Sequence, residues 1–327
     1  MFTEGFNLAV SNVWGRRSLK DSGSMVVLDA TAAGELPVRR SWRDTYRDYV
    51  NVTKPGITMS NAMTTFTGLW VAARGRPDLA TLCLTLAGSS LVVMSGCALN
   101  NFMDRDIDHL MTRTQGRPLP NGRLRAGSVM LFGILLGVLG VGLLAAFVNT
   151  LAATMALIGL FFYVIVYTGV TKRTTTLSTV VGSVSGAMPP LIGWTAVTGS
   201  VDATGWILFT IMFLWQSPHF LALGMRRMKE YKAAGIPLLP VVYGFAPTKR
   251  QIVLWTVALV PVSLLLYTTG AANWIYLATA GVLGAIYLYK AFRGFRAADD
   301  IAWATDMFRY SLIYLTVLSI AMVAGVY

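Results

Sequence analysis

Nine stretches of about 20 mainly apolar residues, set almost end to end, leave this 327-residue chain one kind of solution. Lipid offers no hydrogen bonds to a backbone, so a spanning segment must satisfy its own, and a helix does that within one segment. The stretches are 57–73, 79–102, 128–148, 150–170, 177–198, 204–224, 251–270, 273–290 and 308–326. They predict an all-α polytopic membrane protein, a bundle of nine transmembrane helices. Ser128 to Val148 contains no charged residue, and only Asn149 and Thr150 separate it from the next stretch. That pair, and the turn at Gly270–Asn273, predict tight helical hairpins. Residues 1–52 hold no long apolar run and include Gly23, Gly34 and Pro37. They predict a flexible cytosolic tail with a short amphipathic helix near Trp42–Tyr49, ahead of a membrane domain at 53–327. No secretory hydrophobic region is visible there, so the first span is expected to be retained. Cys83 and Cys97 share one apolar run and read as packing residues.

The charge is uneven. Lys and Arg number 27 against 15 Asp and Glu, a net +12, which in a soluble chain would suggest nucleic acid. Position along the chain removes that reading. With the N-terminus inside, only Arg74 and Arg76 fall in outer loops, leaving 25 basic residues on the inner side. The positive-inside rule therefore predicts a cytosolic N-terminus and an outer C-terminus. Only Asp78 and Asp202 among the acids fall outside, so the inner face carries the whole net charge and no nucleic-acid partner is expected.

Outer connections are short, whereas the inner loops 103–127 and 225–250 have room for chemistry. Asn100, Asp104 and Asp108 lie at i, i+4 and i+8, and on one helix they would stack at steps of about 6 Å. Adjacent carboxylates repel unless a cation lies between them, and Mg²⁺ is commonly held by one or two carboxylates plus substrate phosphates. Arg113 and Arg117, also four apart, suit phosphate oxygens. A Mg²⁺–diphosphate site at the membrane surface is one reading, and a solvated helix end with local Asp–Arg pairs is the other. Asn100, deeper on the same stripe, favours the first, because an amide within a span is costly unless used. Asp106 is out of phase and reads as a solvated partner for a basic neighbour. His219, in Trp215-Gln216-Ser217-Pro218-His219-Phe220, lies near the inner end of an apolar helix that Pro218 should bend. It could ligate iron, transfer protons, or bond a neighbouring helix. His109 reads as a solvated surface histidine. Lys172-Arg173 and Lys54-Pro55 open or close spans and could be plain positive-inside residues. Gly182-x-x-x-Gly186 predicts close helix contact, and Pro189-Pro190 predicts a break in the helix.

Five segments in order resemble one family. Asn100-x-x-x-Asp104-x-x-x-Asp108, running on through Arg113 to Arg117-Pro118-Leu119, is similar to the first aspartate motif of the UbiA-type membrane prenyltransferases. Gly186 to Trp194, Trp215-Gln216-x-Pro218-His219-Phe220, Tyr231-x-x-Ala234-Gly235-Ile236-Pro237-x-Leu239-Pro240 and Tyr310 to Leu315 resemble the branch whose acceptor is haem. The likeness runs from about Thr53 to the end of the chain.

That resemblance implies a nine-helix bundle around a central cavity in a bacterial plasma membrane. It implies farnesyl transfer from farnesyl diphosphate to a vinyl group of haem b, with addition of water and release of diphosphate. On this reading Asn100, Asp104 and Asp108 hold Mg²⁺, and Arg113, Arg117, Lys172 and Arg173, with Lys54, hold the diphosphate. His219 positions the haem, which is substrate and not cofactor. Downstream partners would be a haem-modifying enzyme or terminal-oxidase assembly factors. Two positions depart from the wider pattern. The loop after span six reads Arg226-Arg227-Met228-Lys229-Glu230-Tyr231, where relatives carry a second aspartate ladder, so Glu230 is its single candidate metal ligand. Gly56 stands where many relatives have Arg.

Two rival readings meet opposing features in the sequence. A prenyltransferase of the same fold acting on a quinone precursor or another aromatic acceptor is opposed by His219 and the single-carboxylate second loop. A transporter would place its charges near the bilayer midplane, and here they cluster at the inner surface.

Overall fold

The computed structural model describes residues 41–326, and among them every regular element is helical. The first 40 residues of the expected tail lie outside the described residues. Helix α1 (Trp42–Val52) occupies the place expected for the amphipathic helix, and Ser41 caps it through the Arg43 amide. The long helices are α2 (Pro55–Ala72), α3 (Leu79–Met103), α4 (Ala126–Phe147), α5 (Thr150–Phe161), α6 (Ser178–Thr198) and α7 (Ala203–Arg226). After two short helices, α8 (Met228–Ala233) and α9 (Leu239–Tyr243), come α10 (Phe245–Thr268), α11 (Trp274–Arg293) and α12 (Asp300–Ala324).

Among the described residues eight helical segments are long and apolar enough to cross a membrane; α2, at the first of the nine expected positions, is not among them. Its composition explains why. Thr64, Thr65 and Thr67 are buried and donate to carbonyls of their own helix, at Asn61 and Met63. Hydroxyls satisfied in this way can be buried at little cost, but they lower the mean hydropathy on which a sequence-based count relies.

Successive long helices pack side by side, and α12 returns to α2 to close the ring. Helices α2, α6, α7 and α12 also touch across it, and α6 and α7 are the most buried of the apolar helices. The two largest apolar cores lie chiefly among α3–α6 and among α7 and α10–α12, with residues of α2 and α6 in both. At the end remote from the long loops, Asp78, Asn149, Asp202 and Asn273 cap α3, α5, α7 and α11 through side-chain bonds to backbone amides. The two acids expected outside are thus helix caps, supplying acceptors where the first turn has free N–H groups.

The expected break at Pro189-Pro190 does not occur: α6 runs unbroken through both prolines. Its backbone is held by α2 instead. A Cβ on Gly68 would lie 2.0 Å from the Pro190 carbonyl oxygen, and one on Gly193 would lie 2.1 Å from that of Thr65. Backbone lies against backbone at both crossings, as small residues permit between membrane helices. The Pro218 site likewise stays within the single helix α7.

Gly68→Ala or Gly193→Ala should therefore separate α2 from α6 and destabilise the purified protein by about 1–3 kcal/mol. Thermal unfolding in one detergent checks this against Gly142→Ala, whose added methyl meets open space and should be silent.

Candidate active site

A cavity of about 510 Å³ lies within the ring, lined from α2, α3, α5–α7, α12 and both long inner loops. One end is charged and the other aromatic.

At the charged end α3 stops at Met103, and Asp104 is its C-cap. Asp108 opens a separate 3₁₀ turn, Asp108–Leu110, so the three-residue stripe does not lie on one continuous helix. Register survives because the Asp108 amide donates to the Asp104 carbonyl at 3.0 Å, one α-helical bond beyond the helix end. Asn100, Asp104 and Asp108 consequently all line the cavity, and both carboxylates are only 1% exposed.

Their partners come from distant elements. Lys54, in left-handed backbone (φ 51°) immediately before α2, donates from Nζ to Asn100 Oδ1 at 2.7 Å. Asn100 Nδ2 donates to Asp104 Oδ2 at 2.8 Å and to Thr168 Oγ1 at 3.2 Å. Lys172 is ion-paired to the same Asp104 oxygen. Arg117 Nη1 grips both Asp108 oxygens, at 2.7 and 2.8 Å. Arg113 reaches the Tyr231 hydroxyl at 3.3 Å across the two long loops, which also share an apolar contact of Met111, Ala234 and Ile236. Burial pushes the Asp108 carboxyl above its ordinary range and the Lys54 ammonium down to about 8. Four cations against two carboxylates face this end, which therefore attracts anions.

Two expected site residues are not among the lining residues. Arg173 forks onto Asp106 at 2.6 and 2.7 Å, holding that carboxyl below its usual range, and stands 3.6 Å behind Asp104 Oδ1. Asp106 is thus the solvated partner of a basic neighbour. Glu230 is paired with Arg227 at 2.5 Å and does not reach the cavity. His109 is exposed.

The structure adds what spacing along the chain does not show. Beyond Phe161, α5 widens into a π-helix, Phe162–Val170, followed by a 3₁₀ turn at Thr171–Arg173. The Thr168 hydroxyl bonds the carbonyl of Tyr163, five residues back. Widened turns of this kind recur at functional sites. This one places Tyr163, Tyr167 and Lys172 along the cavity, the two rings stacked with centroids 5.9 Å apart. The Tyr163 ring lies over Gly96, where a Cβ would come within 2.7 Å of it.

At the aromatic end His219 is held between Trp215 and Phe308, with ring centroids 4.8 and 4.7 Å away. Its Nδ1 lies 2.7 Å from Ser311 Oγ, and that oxygen lies 2.7 Å from the Phe308 carbonyl. Two oxygens this close need a proton between them, and serine has one to give. Ser311 therefore donates to the carbonyl and accepts from Nδ1–H, which leaves the lone pair on Nε2. No partner engages Nε2 among the described residues, and His219 lines the cavity. Of the three roles open to His219, the helix-bonding one is met by Nδ1 alone, which leaves the second nitrogen for a ligand.

The profile of the UbiA prenyltransferase family matches residues 61–313. A protoheme IX farnesyltransferase of Alkalihalophilus pseudofirmus is 51% identical over 290 residues, covering 87% of this chain and 90% of its own. One from Bacillus pumilus is 45% identical over 307 residues, covering 92% and 98%. A solved digeranylgeranylglyceryl phosphate synthase superposes with a TM-score of 0.75 at 19% identity, over 86% of this chain and 99% of that one. A UbiA homolog from Archaeoglobus fulgidus bound to GPP and Mg²⁺ gives 0.59 at 15% identity, over 85% and 99%. Both structures share the fold.

With two histidines in the chain, ¹⁵N-histidine spectra should assign His219 the Nδ1-protonated tautomer. Ser311→Ala should erase that preference, and an Nε2-protonated His219 in the unmodified protein would contradict the bonding described.

Proposed function

The chain belongs to the UbiA prenyltransferase family, and we propose that it transfers a farnesyl group from farnesyl diphosphate to a vinyl group of haem b. The observation that carries this reading is one cavity with two unlike ends. A cluster of cations and carboxylates closes one end, and an imidazole with a free Nε2 between aromatic rings closes the other. The relatives named protoheme IX farnesyltransferase, at up to 51% identity over most of the chain, support the same acceptor.

The residues present fit Mg²⁺. Asp104 Oδ1 is buried without a hydrogen-bond partner, and the Asn100, Asp104 and Asp108 side chains all line the cavity. Among the described residues no group of three or more His, Cys, Asp and Glu could cage a metal, so diphosphate oxygens would complete the shell. When bound, the ion would stabilise charge on the departing diphosphate. Lys54, Lys172, Arg113 and Arg117 face the same oxygens, and fixed cations aimed at developing charge are strong catalytic elements. Arg173 acts from behind, by holding Asp104. Glu230, turned to Arg227, is left without a role in the metal site.

The farnesyl chain lies among Tyr163, Tyr167 and the apolar walls, where scarce water protects an allylic cation. The terminal vinyl carbon bonds C1 of the farnesyl group as the C1–O bond to diphosphate breaks. Water then adds to the inner vinyl carbon and loses a proton, giving the hydroxyethylfarnesyl group of haem O. His219 Nε2 suits the haem iron, since the second ring nitrogen of a metal-bound histidine is commonly fixed by a partner such as Ser311.

In the bacterial plasma membrane, the charge asymmetry supports a cytosolic N-terminus, a catalytic domain from residue 53 onward and an outer C-terminus, with residues 1–52 on the cytosolic side. A haem-modifying enzyme or a terminal-oxidase assembly factor would receive the product.

Membranes containing the protein, given farnesyl diphosphate, Mg²⁺ and haem b, should yield a haem heavier by a farnesyl and a hydroxyl group. Its absence, or transfer only to a quinone precursor, would refute the acceptor. Asp104→Asn should lower turnover by roughly 10²-fold or more, measured by the same mass shift. His219→Ala should weaken haem binding in spectral titrations and leave prenyl diphosphate binding intact.

A further inference from the structure

Helix α7 carries His219, Leu223 and Arg226 at i, i+4 and i+7, on one face. The first two line the cavity. Arg226, the last residue of the helix, lies about 10 Å beyond His219 toward the charged loops, at 1.5 Å per residue. Its guanidinium lies 4.7 Å over the Phe308 ring, the same ring that stacks on His219. Trp215, His219, Phe308 and Arg226 thus form one column.

Arg226 is half-buried and has neither an ion pair nor a hydrogen bond among the described residues. Several other basic residues are paired. Arg227 is paired with Glu230, and Lys249 and Lys290 are paired with Asp300 and Asp306. A guanidinium presents five donors and suits carboxylates in particular. Held over Phe308, the guanidinium keeps those donors unused among the described residues.

Resting on the reading of haem as acceptor, we propose that Arg226 binds a propionate of the porphyrin, orienting the ring in its plane while His219 holds the iron. A histidine ligand alone leaves the macrocycle free to turn about the iron–nitrogen bond. A carboxylate anchored at the loop end of α7 stops that rotation, so one edge of the ring is presented to the farnesyl carbon. Arg226 is in this sense a positioning and specificity residue for a dicarboxylate acceptor, distinct from the cations that face diphosphate.

The test uses the full chain in nanodiscs and compares haem b with its dimethyl ester by spectral titration. The unmodified protein should bind the free acid more tightly than the ester. Arg226→Gln should weaken haem b by roughly ten- to a hundredfold, leave the ester unchanged, and retain Mg²⁺-dependent prenyl diphosphate binding as proof of folding. Arg226→Lys should keep part of the preference. Equal affinity of the unmodified protein for acid and ester overturns the proposal, as does an equal loss of both in either variant. A protein that binds neither porphyrin defeats the haem reading itself, an outcome separable from failure of Arg226 alone.

Discussion

Charge buried beside a bilayer must be paired, and here the pairing holds the fold around the cavity. Lys54 to Asn100, Asn100 to Asp104 and Asp104 to Lys172 make a chain of contacts across three separate stretches of sequence. Removing one member of a buried ion pair costs about 3–5 kcal/mol, because it leaves an uncompensated charge. The same chain is only partly satisfied: Asp104 Oδ1 has no hydrogen bond. Groups that would be a liability in a purely structural network are thereby kept near a ligand. Binding a cation and an anion together would exchange protein–protein pairs for protein–ligand pairs, so the network is pre-arranged and needs little new desolvation.

That network demands that α2, α3 and the end of α5 stay in fixed relation, and the helix crossings supply this. Gly68 and Gly193 bring the backbones of α2 and α6 together, while Ser, Thr and Gly residues leave room on the cavity side. The π-helical stretch after Phe161 shifts the side chains that follow it relative to a regular helix. Without that extra width, Lys172 would leave the face that carries Tyr163 and Tyr167.

Much of this was legible in the sequence because membranes impose coarse rules. Segment length, hairpin turns and the one-sided basic residues need only hydropathy and charge, and they outline the bundle. The aspartate stripe was readable too, though not its backbone: α3 stops at Asp104, and a single hydrogen bond keeps Asp108 in register. Helix α2 was expected to span on the same footing as its neighbours, but its threonines are satisfied internally, which hydropathy does not register. Arg173 and Arg117 read alike in the sequence, as basic residues of inner loops. Only tertiary placement turns one to Asp106 on the surface and the other to Asp108 in the cavity. The π-turn and the Ser311–His219 bond, spanning 92 positions, leave no local signature.

The division of the cavity has a chemical logic of its own. Diphosphate departure needs concentrated positive charge, whereas an allylic cation needs the absence of nucleophiles, and the two demands conflict if they share one wall. Here the cations sit on the loop-side rim with Arg113 reaching solvent, and the rings of Tyr163, Tyr167, Trp215 and Phe308 line the deeper surface. On the proposed reaction, water for the hydroxyl would arrive from the polar rim after the carbon–carbon bond forms. A porphyrin and an isoprenoid bound as proposed would fill the apolar part and leave solvent only the charged end. Aromatic rings also suit both partners by shape, a flat macrocycle and a delocalised cation. One fold can therefore serve an acceptor much larger than a simple phenol, provided that its charged edge is held away from the reacting carbon.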